Sequence, residues 1–157
     1  DEEIRQGMNS FRGVDRRFDF KIKNDQVVFL SDYAHHPSEI KQSVLSIREL
    51  YKDKKITAIF QPHLYTRTRD FYREFAEALS LCDEVLLLPI YPAREKPIEG
   101  IVSEIIAERV AVPCRIVERE TLATTLEKMD TDVVVSFGAG NIDACCEAIA
   151  EKLRAKS

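Results

Sequence analysis

The chain has 157 residues, of which 45% are hydrophobic and 32% are charged, which predicts one soluble domain that buries roughly 68–70% of its unfolded surface. The net charge of -4 argues against a general nucleic-acid or membrane-binding surface and favours a small ligand. No run approaches the ~20 apolar residues of a membrane span and no signal-peptide pattern is present, so we expect a cytoplasmic protein.

The first residues suggest a piece of a longer protein. Apolar side chains recur at helical spacing over residues 2–11, which predicts a short helix. Because the sequence begins at Asp1 rather than Met, we interpret residues 1–15 as the tail of a preceding domain and a linker. Arg16 and Arg17 follow. Paired arginines are usually solvated surface charges, but their forked donors also suit a phosphate.

A hairpin is predicted at the start of the domain. Residues 18–23 alternate apolar and polar side chains, and Asn24 and Asp25 are typical of a turn. Residues 27–30 then form an apolar run that favours a buried strand. We therefore expect an antiparallel pair on the edge of a sheet.

A dense polar turn follows that strand. Pro37 suits the first position of a helix, and apolar residues recur at helical spacing from Ile40 to Tyr51. The turn thus lies between the carboxyl end of a strand and the amino end of a helix, where open α/β sheets bind ligands. Its polar side chains are Asp32, Tyr33, His35 and His36.

The rest of the chain alternates strands and helices. A strand at residues 56–60 ends in a second polar turn with His63 and Arg67, and Thr68 or Asp70 is expected to cap the next helix. The alternation predicts an α/β fold: a doubly wound, mostly parallel, Rossmann-like sheet of roughly six strands with one antiparallel edge strand. Further strands are predicted at residues 85–88, 115–117 and 133–137, with helices over 71–79, from a cap at Ser103 to Val110, over 122–129 and over 142–153.

The four cysteines show neither a metal-binding nor a disulfide pattern. There is no CxxC spacing, and the adjacent Cys145 and Cys146 are poorly placed to chelate one metal or to form an unstrained bridge. We expect reduced, packed thiols.

All three histidines lie in polar turns that follow strands. A single loop histidine is more often a structural hydrogen-bonding group, but the shared placement indicates one crevice. A metal site formed by Asp32, His35 and His63 is disfavoured, because adjacent His35 and His36 cannot easily face one ion. Recognition of anions and hydroxyl groups fits better: Asp32 accepts from sugar hydroxyls, and His35, His63 and Arg67 donate to phosphate or carboxylate. No nucleophile with a matching base and no P-loop is present, so these residues form half of a site without a catalytic residue of its own.

Three motifs resemble those of the Mur ligases, which add amino acids during peptidoglycan synthesis. They are DYAHHPSEI at residues 32–40, FQPHLYTRT at residues 60–68 and GAGNI at residues 138–142. The double histidine followed by proline, with QPH and TRT, is similar to the alanine-adding branch of the family. The resemblance covers residues 16–157 and identifies them as the carboxyl-terminal domain.

The resemblance implies a three-domain cytoplasmic enzyme of which this chain is the third domain. Such an enzyme uses ATP and Mg²⁺ to convert the carboxylate of UDP-N-acetylmuramic acid to an acyl phosphate, which the amine of L-alanine attacks. The amino-terminal domain of the same protein holds the UDP group, and the central domain supplies the P-loop and the metal site. The isolated chain is expected to be inactive.

The resemblance also implies roles for individual residues. Arg17 reaches the ATP phosphates, Asp32 binds the ribose or otherwise fixes the nucleotide edge, and Tyr33 and His35 line the nucleotide and alanine side of the cleft. The alanine carboxylate is held by His63 and Arg67.

Two positions depart from the family pattern. Leu64 stands where many relatives carry a basic residue that assists carboxylate recognition, so either Arg67 does that work alone or Arg94 helps. Arg94 stands where the family loop usually has glycine, and it is otherwise a solvated loop charge. Two alternatives stay open: another Mur-type amino-acid ligase, and a stand-alone small-ligand binding module of the same fold.

Overall fold

The computed structural model describes residues 19–138 and 141–156 of the chain. The helix predicted over residues 2–11, the linker and Arg17 lie outside the described residues. None of the helices within these described ranges combines the length and the apolar character needed to cross a bilayer. The strands are β1 Asp19–Lys23, β2 Val28–Asp32, β3 Ile56–Phe60, β4 Glu84–Leu87, β5 Cys114–Ile116 and β6 Val133–Phe137. The α-helices are α1 Pro37–Leu50, α2 Tyr65–Leu79, α3 Glu104–Ala107, α4 Leu122–Glu127 and α5 Cys146–Lys156, and 3-10 turns at Arg119–Thr121 and Asn141–Cys145 precede α4 and α5.

The strands form a six-stranded sheet in the order β1-β2-β6-β3-β4-β5. β1 is antiparallel to β2, and the other neighbouring strands are parallel. The predicted hairpin is present on the sheet edge, and the Asn24 side chain accepts the N–H groups of Gln26 and Val27 in its turn. The predicted α/β class, with a mostly parallel sheet and an antiparallel edge strand, is confirmed.

Helices cover both faces of the sheet because the central strands are apolar on both faces. Successive side chains of a strand point to opposite faces, and β6 shows the consequence. Val133, Val135 and Phe137 join the core that includes side chains of α1, α2 and α3, whereas Val134 joins the core that includes side chains of α4 and α5. On α1 the predicted apolar face is buried, with Ile40 fully enclosed. The sheet is therefore doubly wound.

Two expectations about the polar turns are wrong. Asp32 is the last residue of β2 rather than part of the turn. α2 begins at Tyr65, well before the predicted start, and neither Thr68 nor Asp70 caps it. The Thr68 hydroxyl donates to the Leu64 carbonyl, and Asp70 pairs with the neighbouring Arg69. The two side chains that the local sequence favours as caps therefore make other hydrogen bonds.

The helix after the long loop is also shorter than predicted. α3 ends at Ala107 rather than near Val110, and Ser103 precedes it without capping one of its N–H groups. The Ser103 hydroxyl donates instead to the Leu88 carbonyl at 2.5 Å. This contact joins the start of α3 to the segment that follows β4.

Candidate functional site

Two polar turns lie at the same edge of the sheet because β2, β6 and β3 are adjacent parallel strands. Asp32, at the end of β2, pairs with Phe137 of β6, which pairs on its other side with Phe60 at the end of β3. With neighbouring strands ~4.8 Å apart, the ends of β2 and β3 are roughly 10 Å apart. The turns that carry His35 and His63 therefore border one region at the carboxyl edge of the sheet, which is where open α/β sheets bind ligands.

Asp32 shapes the first turn from within. Its side chain is buried, and Oδ1 accepts the N–H of Ala34 at 2.9 Å, a local bond typical of an aspartate that turns the chain. The next residue, Tyr33, is 57% exposed. The Asp32 carboxylate is thus buried at the carboxyl edge of the sheet, whereas the Tyr33 ring lies exposed on the surface there.

The two adjacent histidines have different surroundings. Glu39 Oε1 accepts the backbone N–H groups of His35 and His36 at 3.2 and 3.3 Å. The His36 ring packs edge-on against Phe71 of α2, with 5.4 Å between centroids. His35 Nδ1 lies 3.2 Å from the Tyr33 carbonyl oxygen, and since a carbonyl only accepts, that nitrogen carries the proton. The His36 ring therefore joins the first turn to α2. A neutral His35, with its proton on Nδ1, has Nε2 as its hydrogen-bond acceptor.

His63 and Arg67 form one polar pair. Arg67 Nη1 lies 3.2 Å from His63 Nδ1, and because a guanidinium only donates, a neutral His63 carries its proton on Nε2. Burial lowers the pKa of His63 from 6.5, and the charges of Arg67 and His35 lower it further against the opposing charge of Glu95. The ring stacks on Tyr91, with 5.6 Å between centroids. The pair offers hydrogen-bond donors and one positive charge, which suit a carboxylate or phosphate.

The amino end of α2 is already occupied by a carboxylate of the chain. Glu95 Oε1 accepts the N–H groups of Tyr65 at 2.5 Å and Thr66 at 3.1 Å, and Oε2 accepts the Thr66 hydroxyl at 2.5 Å. The Thr66 hydroxyl lowers the pKa of the Glu95 carboxyl, burial opposes it, and the backbone N–H groups and Arg69 add to the lowering. Glu95 therefore occupies two of the N–H groups that a helix start would otherwise offer to an anion.

The turn after β6 approaches the turn after β3 closely. Gly138 has φ +145°, and a Cβ there would lie 3.2 Å from the backbone oxygen of Gln61. Gln61 is buried, and its N–H donates to Phe137 O at 3.3 Å. Glycine at 138 therefore lets the two strand ends meet at this edge.

The candidate residues are thus distributed as follows. Asp32, Tyr33, His35, His63 and Arg67 lie at or next to the carboxyl edge, Arg94 is exposed in the loop after β4, and Arg17 lies outside the described residues. Within residues 19–138 and 141–156, no group of three or more His, Cys, Asp or Glu side chains is placed to hold a metal ion. A cavity of about 220 Å³ lies at the opposite edge, near Tyr51 and Asp132, and none of the candidate residues lines it.

Sequence reasoning missed Tyr91 and Glu95. Both lie in the loop after β4, about 30 residues from the side chains that they contact, so no local pattern indicates the contacts. The role of Glu39 had a signal, since an acidic residue three positions after a helix cap is typical of a capping box.

Comparison with known proteins gives consistent matches. Residues 16–140 match the family model described as Mur ligase, glutamate ligase domain. A UDP-N-acetylmuramate–L-alanine ligase of Phocaeicola vulgatus is 64% identical over 145 residues, covering 91% of this chain and 32% of the relative. The ligase of the same name from Parabacteroides distasonis is 52% identical, covering 97% of this chain and 33% of the relative. The chain thus spans about one third of the length of the curated relatives it matches.

Solved structures show the same fold. The UDP-N-acetylmuramate-alanine ligase of Thermotoga maritima has a TM-score of 0.75 and 26% identity, covering 97% of this chain and 33% of that chain. A separately solved domain of a ligase from Haemophilus ducreyi has a TM-score of 0.65 and 20% identity, and 99% of that domain is covered. With a family model that spans most of its length, the chain belongs to the Mur ligase family, as the domain that the family model describes.

Proposed function

We propose that this chain is the carboxyl-terminal domain of an ATP-dependent ligase that adds L-alanine to UDP-N-acetylmuramic acid in peptidoglycan synthesis. Residues 1–15 are then the end of the preceding domain and a linker, and residues 16–157 are the carboxyl-terminal domain. The enzyme acts in the cytoplasm and contributes to cell wall biogenesis, cell shape and cell division. High identity to UDP-N-acetylmuramate–L-alanine ligases supports this assignment.

The observation that carries the proposal is the pairing of Arg67 with His63 at the carboxyl edge. Arg67 supplies a permanent positive charge, and a neutral His63 supplies an N–H at Nε2. Together they hold the carboxylate of L-alanine and so direct its amine toward the activated carboxyl group. Their contribution is orientation and charge stabilisation rather than proton transfer.

The nucleotide side is formed by the first turn and the connector. Tyr33 offers an exposed ring, the buried Asp32 fixes the turn that presents it, and His35 lines the cleft between nucleotide and alanine. Arg17 belongs to the connector that precedes β1 in the sequence, and the family resemblance assigns it to the ATP phosphates. With Mg²⁺ bound, ATP would activate the muramate carboxylate as an acyl phosphate. Most contacts to ATP and Mg²⁺ would come from the preceding domains of the protein.

Arg67→Ala in the full-length enzyme tests the carboxylate role. Loss of a charge-assisted contact should raise the KM for L-alanine by at least about tenfold, with little change in the KM for ATP. Arg73→Ala is the matched control, because Arg73 is an exposed arginine further along α2. Equal changes in both KM values for Arg67→Ala would contradict the assignment.

Substrate assays and calorimetry separate the remaining alternatives. Turnover of the full-length enzyme with L-alanine, glycine and L-serine tests another amino-acid specificity, which Leu64 leaves open. Calorimetry of the 157-residue chain with ATP, ADP and L-alanine tests a stand-alone binding module. Since most contacts belong to other domains, the ligase proposal expects weak or no binding, and micromolar binding would contradict it.

A further inference from the structure

The loop after β4 holds the first turn of α2 from outside the helix. Glu95 contacts three groups there: the N–H groups of Tyr65 and Thr66 and the hydroxyl of Thr66. A turn with a hydrogen bond from Glu95 N to Pro92 O, in which Ala93 has φ +54°, precedes this carboxylate. Two hydrogen-bonded N–H groups and one hydroxyl make Glu95 the acceptor for this end of the helix.

α2 has no cap of its own to replace this contact. Its N-cap position is Leu64, whose apolar side chain cannot accept a hydrogen bond and whose backbone has φ +74° and ψ +139°. A residue other than glycine is strained at these φ and ψ angles, and such a conformation persists only when the surrounding structure enforces it. The bonds around the turn enforce it: Leu64 N donates to Tyr91 O, and the Leu64 carbonyl accepts from Thr68.

The same loop also contacts His63, the partner of Arg67 in the polar pair. The Tyr91 ring stacks on His63, and Tyr91 N donates to Pro62 O at 2.8 Å. Arg67 is the third residue of α2, so its backbone belongs to the turn that Glu95 holds. The loop therefore touches the elements that set both His63 and Arg67.

We propose that Glu95 is a positioning residue, whose carboxylate holds the first turn of α2 so that Arg67 meets His63 in the geometry that receives a carboxylate. Which carboxylate is received rests on the proposed function. The positioning itself does not, because it concerns contacts within this chain.

The test is an NMR titration of the His63 imidazole in the 157-residue chain and its variants. The charge of Glu95 raises the pKa of His63, and the charge of Arg67 lowers it by more. Glu95→Gln keeps a carbonyl acceptor for the two N–H groups but removes the charge, so Arg67 stays in place and the pKa should fall. Glu95→Ala releases the turn, so the larger effect of Arg67 is lost and the pKa should rise.

Two further variants complete the design. Glu95→Asp retains the charge but shortens the side chain, so it should also raise the pKa of His63, and it serves if Glu95→Ala does not fold. Glu99→Ala removes an exposed carboxylate of the same loop and should leave the pKa unchanged. If Glu95→Gln and the folded Glu95→Ala lower the pKa alike, Glu95 acts only through its charge and the proposal is wrong.

Kinetics of the full-length ligase separate this inference from the function on which it builds. Glu95→Ala should raise the KM for L-alanine by about tenfold, the size expected from loss of a helix cap next to a binding residue, and leave the KM for ATP within about twofold. Opposite pKa shifts with no change in the alanine KM would support the positioning of Arg67 and contradict the alanine-binding role of the pair.

Discussion

Replacement of Gly138 by alanine should destabilise the chain strongly for a change of one methyl group. At φ +145° a side chain costs ~1–3 kcal/mol. The added Cβ would also lie 3.2 Å from Gln61 O and 3.3 Å from Ile142 Cγ2, and overpacking of this kind adds about 1 kcal/mol or more. We therefore expect a loss of ~2–4 kcal/mol in the free energy of unfolding, or roughly 5–15 °C in Tm.

The neighbouring backbone has little freedom to relieve that contact. Gln61 is buried and donates its N–H to Phe137 O. The next residue is Pro62, whose ring also restricts the backbone of Gln61. The Gln61 carbonyl oxygen therefore has little room to move. The Ile142 side chain is buried as well. The cost of the contact should therefore appear in stability rather than in a local shift.

Gly100→Ala is the matched control. Gly100 has φ +83° but no atom within 4 Å of an added Cβ, so only the backbone term of about 1–2 kcal/mol applies. Urea unfolding of the 157-residue chain, followed by circular dichroism, measures both variants, with an unchanged m-value as the condition for comparison. Equal losses for the two variants would refute the argument from the contact with Gln61, and a neutral Gly138→Ala would refute the backbone argument as well.

Three further predictions follow from the titratable groups. NMR should find the pKa of His63 below 6.5, since burial and Arg67 lower it. The folded chain then binds this proton less readily than the unfolded chain, so His63 reduces stability as pH falls below 6.5. Burial raises the pKa of the Asp83 carboxyl, but hydrogen bonds from the Arg48 side chain and the Ile56 N–H outweigh it and lower the pKa below 3.8. The stabilising effect of this carboxylate is present above pH 3.8 and is lost as the pH falls through the folded pKa. Asp83→Asn should therefore make the stability of the chain less sensitive to acid in unfolding experiments. Burial raises the pKa of Cys82 to about 12, so this free thiol should react with iodoacetamide at pH 8 only after unfolding.

The parts of the fold that were predictable depend on local patterns. β6 was predicted with its observed bounds because five consecutive apolar or small residues lie between turn signals. Pro37 marked the first residue of α1, since proline costs no hydrogen bond there. The two polar turns were also predicted, because parallel strands bring their carboxyl ends to one edge.

The details that were wrong or missed depend on distant contacts. The local sequence predicts a cap of α2 at Thr68 or Asp70, but the carboxylate that accepts from its first N–H groups is Glu95, 30 residues away from Tyr65. The local sequence also predicts Asp32 in a turn, whereas pairing with Phe137 extends β2 through Asp32. Neither outcome is set by residues near the position concerned.

The sequence by itself determined the order of strands and helices, the apolar faces of the helices and the positions of the polar turns, because periodicity and turn chemistry act over a few residues. Only the tertiary structure decided which nitrogen of His63 accepts from Arg67, which carboxylate caps α2 and how closely Gly138 approaches Gln61. These depend on pairs of groups brought together by chain folding, and the free energy of such pairs has no counterpart in local sequence.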